Sequence, residues 1–143
     1  YVYGQLLPLF PEKVKSIPYL DWLSSEDVLF AVSGIGNPRP FVKQLKKYNA
    51  KVKVTAFQDH CDFSKHDIDI ILKRFKSFEF NNKYIVVTEK DAVKIINLLN
   101  FPEELKPYIF YLPIKVGFHD IQGNKSFIEV LIEGIEGRRK IIK

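Results

Sequence analysis

An uncharged run at residues 28–33 constrains this chain more than any other feature of its sequence. The run VLFAVS contains neither a charge nor a turn-forming residue, which suits a strand buried on both faces in the middle of a parallel sheet. Gly34 and Gly36 then permit backbone angles that other residues avoid. Asn37 before Pro38 provides a helix N-cap followed by a proline. The segment therefore predicts a strand, a tight loop and the start of a helix.

Such a loop is a common ligand site in open α/β sheets, because it presents backbone N–H groups at the carboxyl end of a central strand. Two standard phosphate-binding motifs are nevertheless absent from the sequence. A dinucleotide motif needs a third glycine where Arg39 stands, and no glycine is followed four residues later by Gly-Lys-Ser or Gly-Lys-Thr. A glycine turn that only links strand to helix is an equally good interpretation.

The composition is that of a single globular domain. The chain has 143 residues, of which 46% are hydrophobic and 27% charged. No apolar run approaches the roughly 20 residues of a membrane span. The one cysteine, Cys61, excludes an internal disulfide and favours a reducing compartment. Because the chain begins at Tyr1 and contains no Met, we expect it to be a fragment of a longer polypeptide.

The net charge of +5 is concentrated in two basic runs. Either run could face an anionic membrane or substrate, although a solvated helix surface explains each of them as well. Aromatic residues are not interleaved with these lysines, so we expect no nucleic-acid partner. The runs are Arg39, Lys43, Lys46, Lys47, Lys51 and Lys53, and then Arg138, Arg139, Lys140 and Lys143.

Strand and helix patterns alternate along the chain, which predicts an α/β fold. We expect a Rossmann-like three-layer sandwich with a mostly parallel sheet of about four or five strands. Lys and apolar residues alternate over 51–57, so this strand should lie near an edge of the sheet. The expected strands are 28–33, 51–57, 84–88 and 108–112, and the expected helices are 40–48, 64–78, 91–99 and 126–136.

Two helices carry more detailed signals. Ser64 and Asp67 have the spacing of a capping box. The helix over 91–99 should bury Ala92, Ile95, Ile96 and Leu99 on its inner face. Residues 1–24 do not fit the alternation, and their prolines restrict them to an edge strand or a linker. We therefore assign residues 1–24 to a connector and lead-in segment, and residues 25–143 to one α/β domain.

The carboxyl ends of parallel strands share one edge of a sheet, and polar clusters follow three of the predicted strands there. Asp59 and His60 form the most reactive pair, because imidazole titrates near neutral pH and a carboxylate can fix its tautomer. The pair suits a base or a phosphate contact, but an Asp at this point also commonly caps its own loop. A metal site would need Cys61, Asp62 and His66, whose spacing matches no zinc or iron signature. We expect no metal site.

The third cluster lies at residues 88–91. Thr88 is the expected N-cap of the following helix, with Asp91 at its third position, where the helix dipole favours an acid. Lys90 does not fit, because the same dipole disfavours a cation. We expect Lys90 to bind a ligand phosphate or carboxylate, or to pair with Asp59 or Glu89.

Three motifs together resemble the tetraacyldisaccharide 4'-kinase family of lipid A synthesis. They are SGIGNP at 33–38 followed by Phe41, FQDH at 57–60, and TEKDAVK at 88–94. The resemblance spans about residues 28–113 and implies the C-terminal domain of a two-domain kinase. The missing N-terminal domain would hold the P-loop and most of the contacts to ATP and Mg. The start of the chain, up to Phe10, resembles the strand that connects the two domains.

The resemblance implies transfer of the γ-phosphate of ATP to the 4'-hydroxyl of a tetraacyldisaccharide 1-phosphate. This reaction would take place on the cytoplasmic face of the bacterial inner membrane. His60 matches the family's functional histidine and Asp59 precedes it, so both are expected to be catalytic. Gln58 stands where proline is common, and Cys61 where a second histidine or an aromatic residue often occurs. The expected nucleotide- or substrate-binding residues are Gly34, Gly36, Asn37, Thr88, Glu89, Lys90 and Asp91.

A second class of function is also compatible with this sequence. A non-catalytic Rossmann-like module could bind a nucleotide, a sugar phosphate or a partner protein through the same edge. The chain contains no P-loop with its lysine, so we expect it to have no kinase activity by itself.

Overall fold

The computed structural model describes residues 2–14 and 23–115. The strands are β1 Val2–Tyr3, β2 Leu7–Pro8, β3 Val28–Ser33, β4 Lys51–Ala56, β5 Lys83–Thr88, β6 Ile109–Leu112 and β7 Ile114–Lys115. The α-helices are α1 Arg39–Leu45, α2 Lys65–Ser77 and α3 Glu89–Ile96, and short 3-10 helices occupy Pro11–Lys13 and Glu103–Tyr108.

Five strands form the main sheet, in the order β2-β6-β5-β3-β4. The four strands β6, β5, β3 and β4 are parallel to one another, and only β2 runs antiparallel, on the outer side of β6. The predicted α/β fold with a mostly parallel sheet is therefore confirmed. β2 contains Pro8, and its position at the edge agrees with the restriction that proline imposes on a strand.

β3 lies in the interior of this sheet. All six of its residues are buried, and it pairs with β4 on one side and β5 on the other. An uncharged strand is required there because helices cover both faces. β4 is the edge strand that its alternating lysines predict, and exposed and partly buried residues are mixed along it.

The two faces of the sheet carry separate hydrophobic clusters. One face packs against α2 and α3 through Ile68, Ile71, Phe75, Ala92 and Ile95, together with Phe30, Val32, Ile85 and Val87 of the sheet. The other face packs against α1 through Phe41 and Leu45, together with Leu29, Ala31, Tyr84 and Val86. The result is the predicted three-layer arrangement, with α1 on one side of the sheet and α2 and α3 on the other.

The helix starts follow local sequence rules, with one correction. Ser64 and Asp67 form the predicted capping box at the start of α2, and Thr88 caps α3 by accepting from the amide of Asp91. Asn37 was expected to be the N-cap of α1, but Pro38 takes that position and the helix begins at Arg39. Asn37 still contributes, because its Oδ1 accepts a hydrogen bond from the Arg39 amide.

The end of α3 differs from the prediction. The helix stops at Ile96, where Asn97 forms the C-cap, three residues before the expected end. Ala92 and Ile95 are buried as predicted, but Ile96 is 51% exposed and Leu99 is 98% exposed. The apolar spacing of the sequence continues to Leu99, but the helix has already ended at Ile96. Leu99 therefore does not lie on the buried face of α3.

The chain forms two compact units. The unit Tyr3–Ile114 contains the five-stranded sheet, and Val2 and Lys115 belong to the other unit. The helix predicted over 126–136 and the second basic run, from Arg138 to Lys143, lie outside the described residues. The assignment of 1–24 and 25–143 as connector and domain stays a prediction. Within the described residues, no helix is both long enough and apolar enough to span a membrane.

Candidate functional site

The loops that follow β3 and β4 touch at the carboxyl edge of the sheet. A Cβ atom on Gly34 would lie 2.9 Å from the Cβ of Cys61, and one on Gly36 would lie 2.9 Å from Oδ2 of Asp59. The Cβ of Cys61 cannot rotate away, so Gly34 is required by the close approach of the second loop. The Asp59 carboxylate opposite Gly36 is the end of a partly exposed side chain that can move aside. The predicted clusters at 34–38 and 58–60 are therefore adjacent in the fold.

Asp91 connects the third cluster to the glycine loop. Its side chain is fully buried, and its Oδ2 accepts hydrogen bonds from the Gly34 amide at 3.0 Å and from the Thr88 hydroxyl at 2.7 Å. The amide of Asp91 in turn donates to Thr88 Oγ1 at 3.1 Å. One carboxylate thus fastens the start of α3 to the first residue of the glycine loop.

Two buried polar atoms lie at this end of β3 without a hydrogen-bond partner among the described residues. They are Oγ of Ser33 and Oδ1 of Asp91. Ser33 directly precedes Gly34, whose amide binds the other oxygen of the same carboxylate. Buried groups of this kind are rare, because each loses its hydrogen bonds to water. The interior beneath the glycine loop is therefore unusually polar.

Lys94 holds the second loop from the same helix. Its Nζ donates a hydrogen bond of 2.6 Å to the backbone carbonyl of Cys61, the residue that follows His60. Asp91 and Lys94 lie three positions apart on α3 and therefore on one side of that helix. We call these two residues the α3 anchors. They fasten both loops of the site to a single rigid element.

His60 stands at the tip of the second loop in a left-handed conformation, with φ of 61°. Histidine tolerates this region better than most residues. The Asp59 carboxylate supports the turn, because its Oδ1 accepts from the His60 amide at 3.0 Å. Its Oδ2 lies 3.7 Å from Nε2 of the imidazole. The imidazole is 80% exposed, so the loop presents it to solvent beside a carboxylate.

A recess of about 400 Å³ adjoins this loop, and its lining includes the thiol of Cys61. Burial raises the pKa of this thiol, and the negative charge of Asp67 raises it further. Its Sγ lies 3.5 Å from Oδ2 of Asp67, to which it donates. A neutral, hydrogen-bonded thiol is a poor nucleophile, so Cys61 supports the loop and does not attack a substrate. The lining residues are Phe57, Gln58, Asp59, His60, Cys61, Asp62, Ser64 and Asp67.

The remaining predicted site residues differ in their exposure and in their contacts. Lys90 and Asn37 are exposed, and Lys90 forms no ion pair with any residue in the described part of the chain, so the expected pairing with Asp59 or Glu89 is absent. Oε2 of Glu89 accepts from the Ile114 amide at 3.1 Å. Over residues 2–14 and 23–115, no three His, Cys, Asp or Glu side chains are grouped closely enough to hold a metal.

Comparison with known proteins agrees with this arrangement of motifs. The model of the family described as tetraacyldisaccharide-1-P 4'-kinase matches residues 11–133. The chain belongs to this family. Its members include a tetraacyldisaccharide 4'-kinase of Parabacteroides distasonis, 37% identical over 139 residues, which are 97% of this chain and 37% of that protein. No solved structure gives a significant match.

Two other 4'-kinases show the same relationship. One from Bacteroides thetaiotaomicron is 38% identical over 130 residues, which are 86% of this chain and 34% of that protein. One from Pelagibacter ubique is 34% identical over 123 residues, which are 83% of this chain and 35% of that protein. The chain thus spans only slightly more than a third of the length of these relatives.

Within the described residues the structure brings three predicted clusters together and adds residues that the sequence did not single out. Lys94 lies in the motif at 88–94, but nothing in the sequence indicated that it would reach the carbonyl of Cys61. Ser33 was expected as the last residue of a buried strand and the first residue of the SGIGNP motif, with no role for its hydroxyl. Both roles depend on which loops meet at the edge of the sheet, and the order of residues along the chain carries no signal for that.

Proposed function

We propose that this chain is the C-terminal domain of an ATP-dependent lipid kinase that phosphorylates the 4'-hydroxyl of a tetraacyldisaccharide 1-phosphate. Membership of the family supports this activity for the full-length protein. One observation supports a role for particular residues: His60 is exposed in a left-handed conformation beside Asp59, at the carboxyl edge of the sheet. An edge of this kind is where open α/β sheets bind their ligands.

His60 has the chemistry that an attacking hydroxyl needs. A hydroxyl loses its proton as its oxygen bonds to phosphorus, and a positioned imidazole is a common acceptor for that proton. Asp59 holds the turn through the His60 amide, and its second oxygen lies on the Nε2 side of the ring. Nδ1 of the imidazole has no hydrogen-bond partner among the described residues, so it is available to a substrate. We assign proton acceptance to His60 and its orientation to Asp59.

The described residues do not fit a Mg–ATP site of their own. The Gly34 amide already binds Asp91, so the glycine loop cannot offer all its N–H groups to a triphosphate. The Asp91 carboxylate is fully buried, and Glu89 binds the Ile114 amide. We therefore propose that ATP and Mg are held mainly by the N-terminal domain of the full-length enzyme, and that this chain alone has no kinase activity.

The other site residues then divide into two groups. Gly36, Asn37 and Lys90 are exposed at the edge, and Lys90 supplies a cation for a phosphate of the substrate or nucleotide. Gly34, Thr88 and Asp91 act from inside by holding the loop in place. The fold has an open edge and a fixed loop frame, which suits a site that is completed when a second domain closes over it.

Kinetics of the full-length enzyme test the role of His60. Replacing His60 with Ala should lower turnover by about 10²- to 10⁴-fold, while stability falls by only about 1 kcal/mol, because the side chain is exposed but Ala is strained in the left-handed conformation. His60→Asn serves as a second variant, because Asn tolerates the left-handed conformation. His66→Ala is the matched control, since His66 is also exposed but lies at the start of α2.

The two outcomes separate the candidate functions. A large loss of turnover in both His60 variants, with an unchanged melting temperature in His60→Asn and a normal His66→Ala enzyme, supports the catalytic assignment. Near-normal turnover in His60→Ala and His60→Asn would remove His60 from the mechanism. That result would favour the alternative, a non-catalytic module that binds a nucleotide, a sugar phosphate or a partner protein, over a catalytic role for this loop.

A further inference from the structure

The first basic run is divided between the two faces of the sheet. Val52 packs against the cluster that contains Phe41 and Leu45 of α1. Side chains alternate along a strand, so Lys51 and Lys53 point to the opposite face. Two contacts on that face agree, because Lys51 Nζ lies 5.5 Å from the centre of the Phe80 ring, and Thr55 accepts a hydrogen bond from Arg74 of α2.

Three of the four remaining cations of the run line a separate surface, which we call the α1 groove. Arg39, Lys43 and Lys46 occupy positions i, i+4 and i+7, so they lie in one row along α1 and its C-cap. All three are exposed, and none forms an ion pair with a residue in the described part of the chain. Val54, at the edge of the sheet, is 39% exposed beside them. The groove is lined by Pro38, Arg39, Val42, Lys43, Lys46 and Val54.

The partner that fits this surface has negative charges next to apolar material. The α1 groove places three cations around a floor of Pro38, Val42 and Val54. Residues 39–58 contain no acidic residue, so nothing within this segment repels an anion. The nearby aromatic residues Phe41 and Tyr48 are buried. They cannot stack on nucleic-acid bases, which is the contact that single-stranded nucleic acid would require.

We propose that the α1 groove docks this domain on an anionic phospholipid bilayer. Lipid phosphates contact the three cations, and the apolar floor lies against the boundary between headgroups and acyl chains. The groove begins at Pro38, two residues after Gly36, which is in close approach to Asp59. Docking therefore brings the edge that carries His60 towards the membrane surface. The link to a lipid substrate rests on the proposed function, but membrane binding itself does not.

Vesicle sedimentation with the 143-residue chain tests the proposal. The vesicles contain phosphatidylcholine alone, or phosphatidylcholine with about one third phosphatidylglycerol. Each lysine close to an anionic bilayer changes the partition coefficient by about fivefold. The double variant Lys43→Gln with Lys46→Gln should therefore bind anionic vesicles about 25-fold more weakly than the unchanged chain. The matched control is Lys51→Gln with Lys53→Gln, which removes the same charge from the other face and should reduce binding by less than about threefold.

Several results would overturn the proposal. Equal losses in the two double variants would mean that only total charge matters. Equal binding to the neutral vesicles, or no binding to the anionic ones, would remove the charge complementarity on which docking depends. In another contrary result, the chain would bind a labelled single-stranded oligonucleotide, with the same weakening of about 25-fold in the Lys43→Gln and Lys46→Gln double variant. That result would show that the groove binds polyanions in general and not lipid in particular. Lipid docking could fail in these ways while the full-length enzyme remained active, so the two proposals are tested separately.

Discussion

Lys94 Nζ donates a hydrogen bond of 2.6 Å to the backbone carbonyl of Cys61, one residue beyond His60. This contact connects the exposed imidazole to the middle of α3, and Asp91 connects the glycine loop to the start of the same helix. The two loops also touch each other at Gly34 and Cys61. The position of His60 therefore depends on a small set of contacts that can be removed one at a time.

Loss of the Lys94 anchor should lower activity more than stability. In the full-length enzyme, Lys94→Met keeps an unbranched side chain one atom shorter than that of Lys, but it cannot donate to Cys61. We expect turnover to fall by about tenfold, because small displacements of a reacting group are costly, and the KM for ATP to change by less than about twofold. Steady-state kinetics and thermal unfolding measure both effects on one preparation.

Two further variants control for this result. Lys94→Arg retains a donor and should recover part of the lost turnover. Lys73→Met removes an exposed lysine from α2 and should leave turnover unchanged. If Lys94→Met had normal turnover, or if its lower activity only followed its folded fraction, Lys94 would have no positioning role.

Truncation of Asp91 should destabilise the fold itself. Asp91→Ala leaves the Gly34 amide and the Thr88 hydroxyl without their acceptor in a buried setting. Each of these two groups costs about 1–3 kcal/mol when left unpaired, so the free energy of unfolding should fall by about 2–6 kcal/mol. Urea unfolding of the 143-residue chain measures it. Asp69→Ala, at an exposed position of α2, should change stability by less than about 0.5 kcal/mol, and an equally small effect at Asp91 would contradict the anchor.

Steric coupling should be detectable between Gly34 and Cys61. Gly34→Ala places a methyl group 2.9 Å from the Cβ of Cys61, and overpacking of this kind typically costs about 1–3 kcal/mol. Adding Cys61→Gly removes the opposing atom, so the double variant should be more stable than the sum of the single changes by about 1 kcal/mol. A double-mutant cycle by chemical denaturation measures this coupling. Strict additivity would show that the two loops do not touch in solution.

The Asp27 carboxylate should stabilise the fold only at pH values at which it is ionised. Burial acts to raise the pKa of Asp27, but hydrogen bonds from Ser24 and Asn82 outweigh it and hold the pKa below its usual value of 3.8. The contribution is therefore complete above about pH 4 and is lost as pH falls through the lower, folded-state pKa. Asp27→Asn should be less stable than the unchanged chain at pH 6, by about 1–2 kcal/mol.

The pH profile checks the sign of this effect. Between about pH 4 and pH 2 the stability of Asp27→Asn should fall less steeply than that of the unchanged chain. Urea unfolding at several pH values measures both slopes, and Asp69→Asn serves as the exposed control. Parallel slopes in the unchanged chain and Asp27→Asn would mean that Asp27 titrates alike in the folded and unfolded states.

Local patterns in the sequence predicted the fold class, the four parallel strands and the presence of α1, α2 and α3. The uncharged run at Val28–Ser33 could only be a strand covered on both faces, and the alternating lysines of β4 placed it at an edge. The capping box of Ser64 and Asp67 set the start of α2. These features depend on neighbours within a few residues, so their physics is contained in the order of the amino acids. The end of α3 was missed because Leu99 keeps the apolar spacing after the backbone has left the helix.

Contacts between distant segments were decided only by the tertiary structure. The sequence placed Gly34, His60 and Asp91 on one edge of the sheet, because the carboxyl ends of parallel strands must meet there. Which atoms touch depends on strand order and on loop conformation, and so the bond from Lys94 to Cys61 carried no signal in the sequence. The division of the first basic run between the two faces of the sheet is also a result of the tertiary structure, because the run is continuous along the chain. The pleat of β4 turns Lys51 and Lys53 to one face of the sheet, while α1 packs on the other.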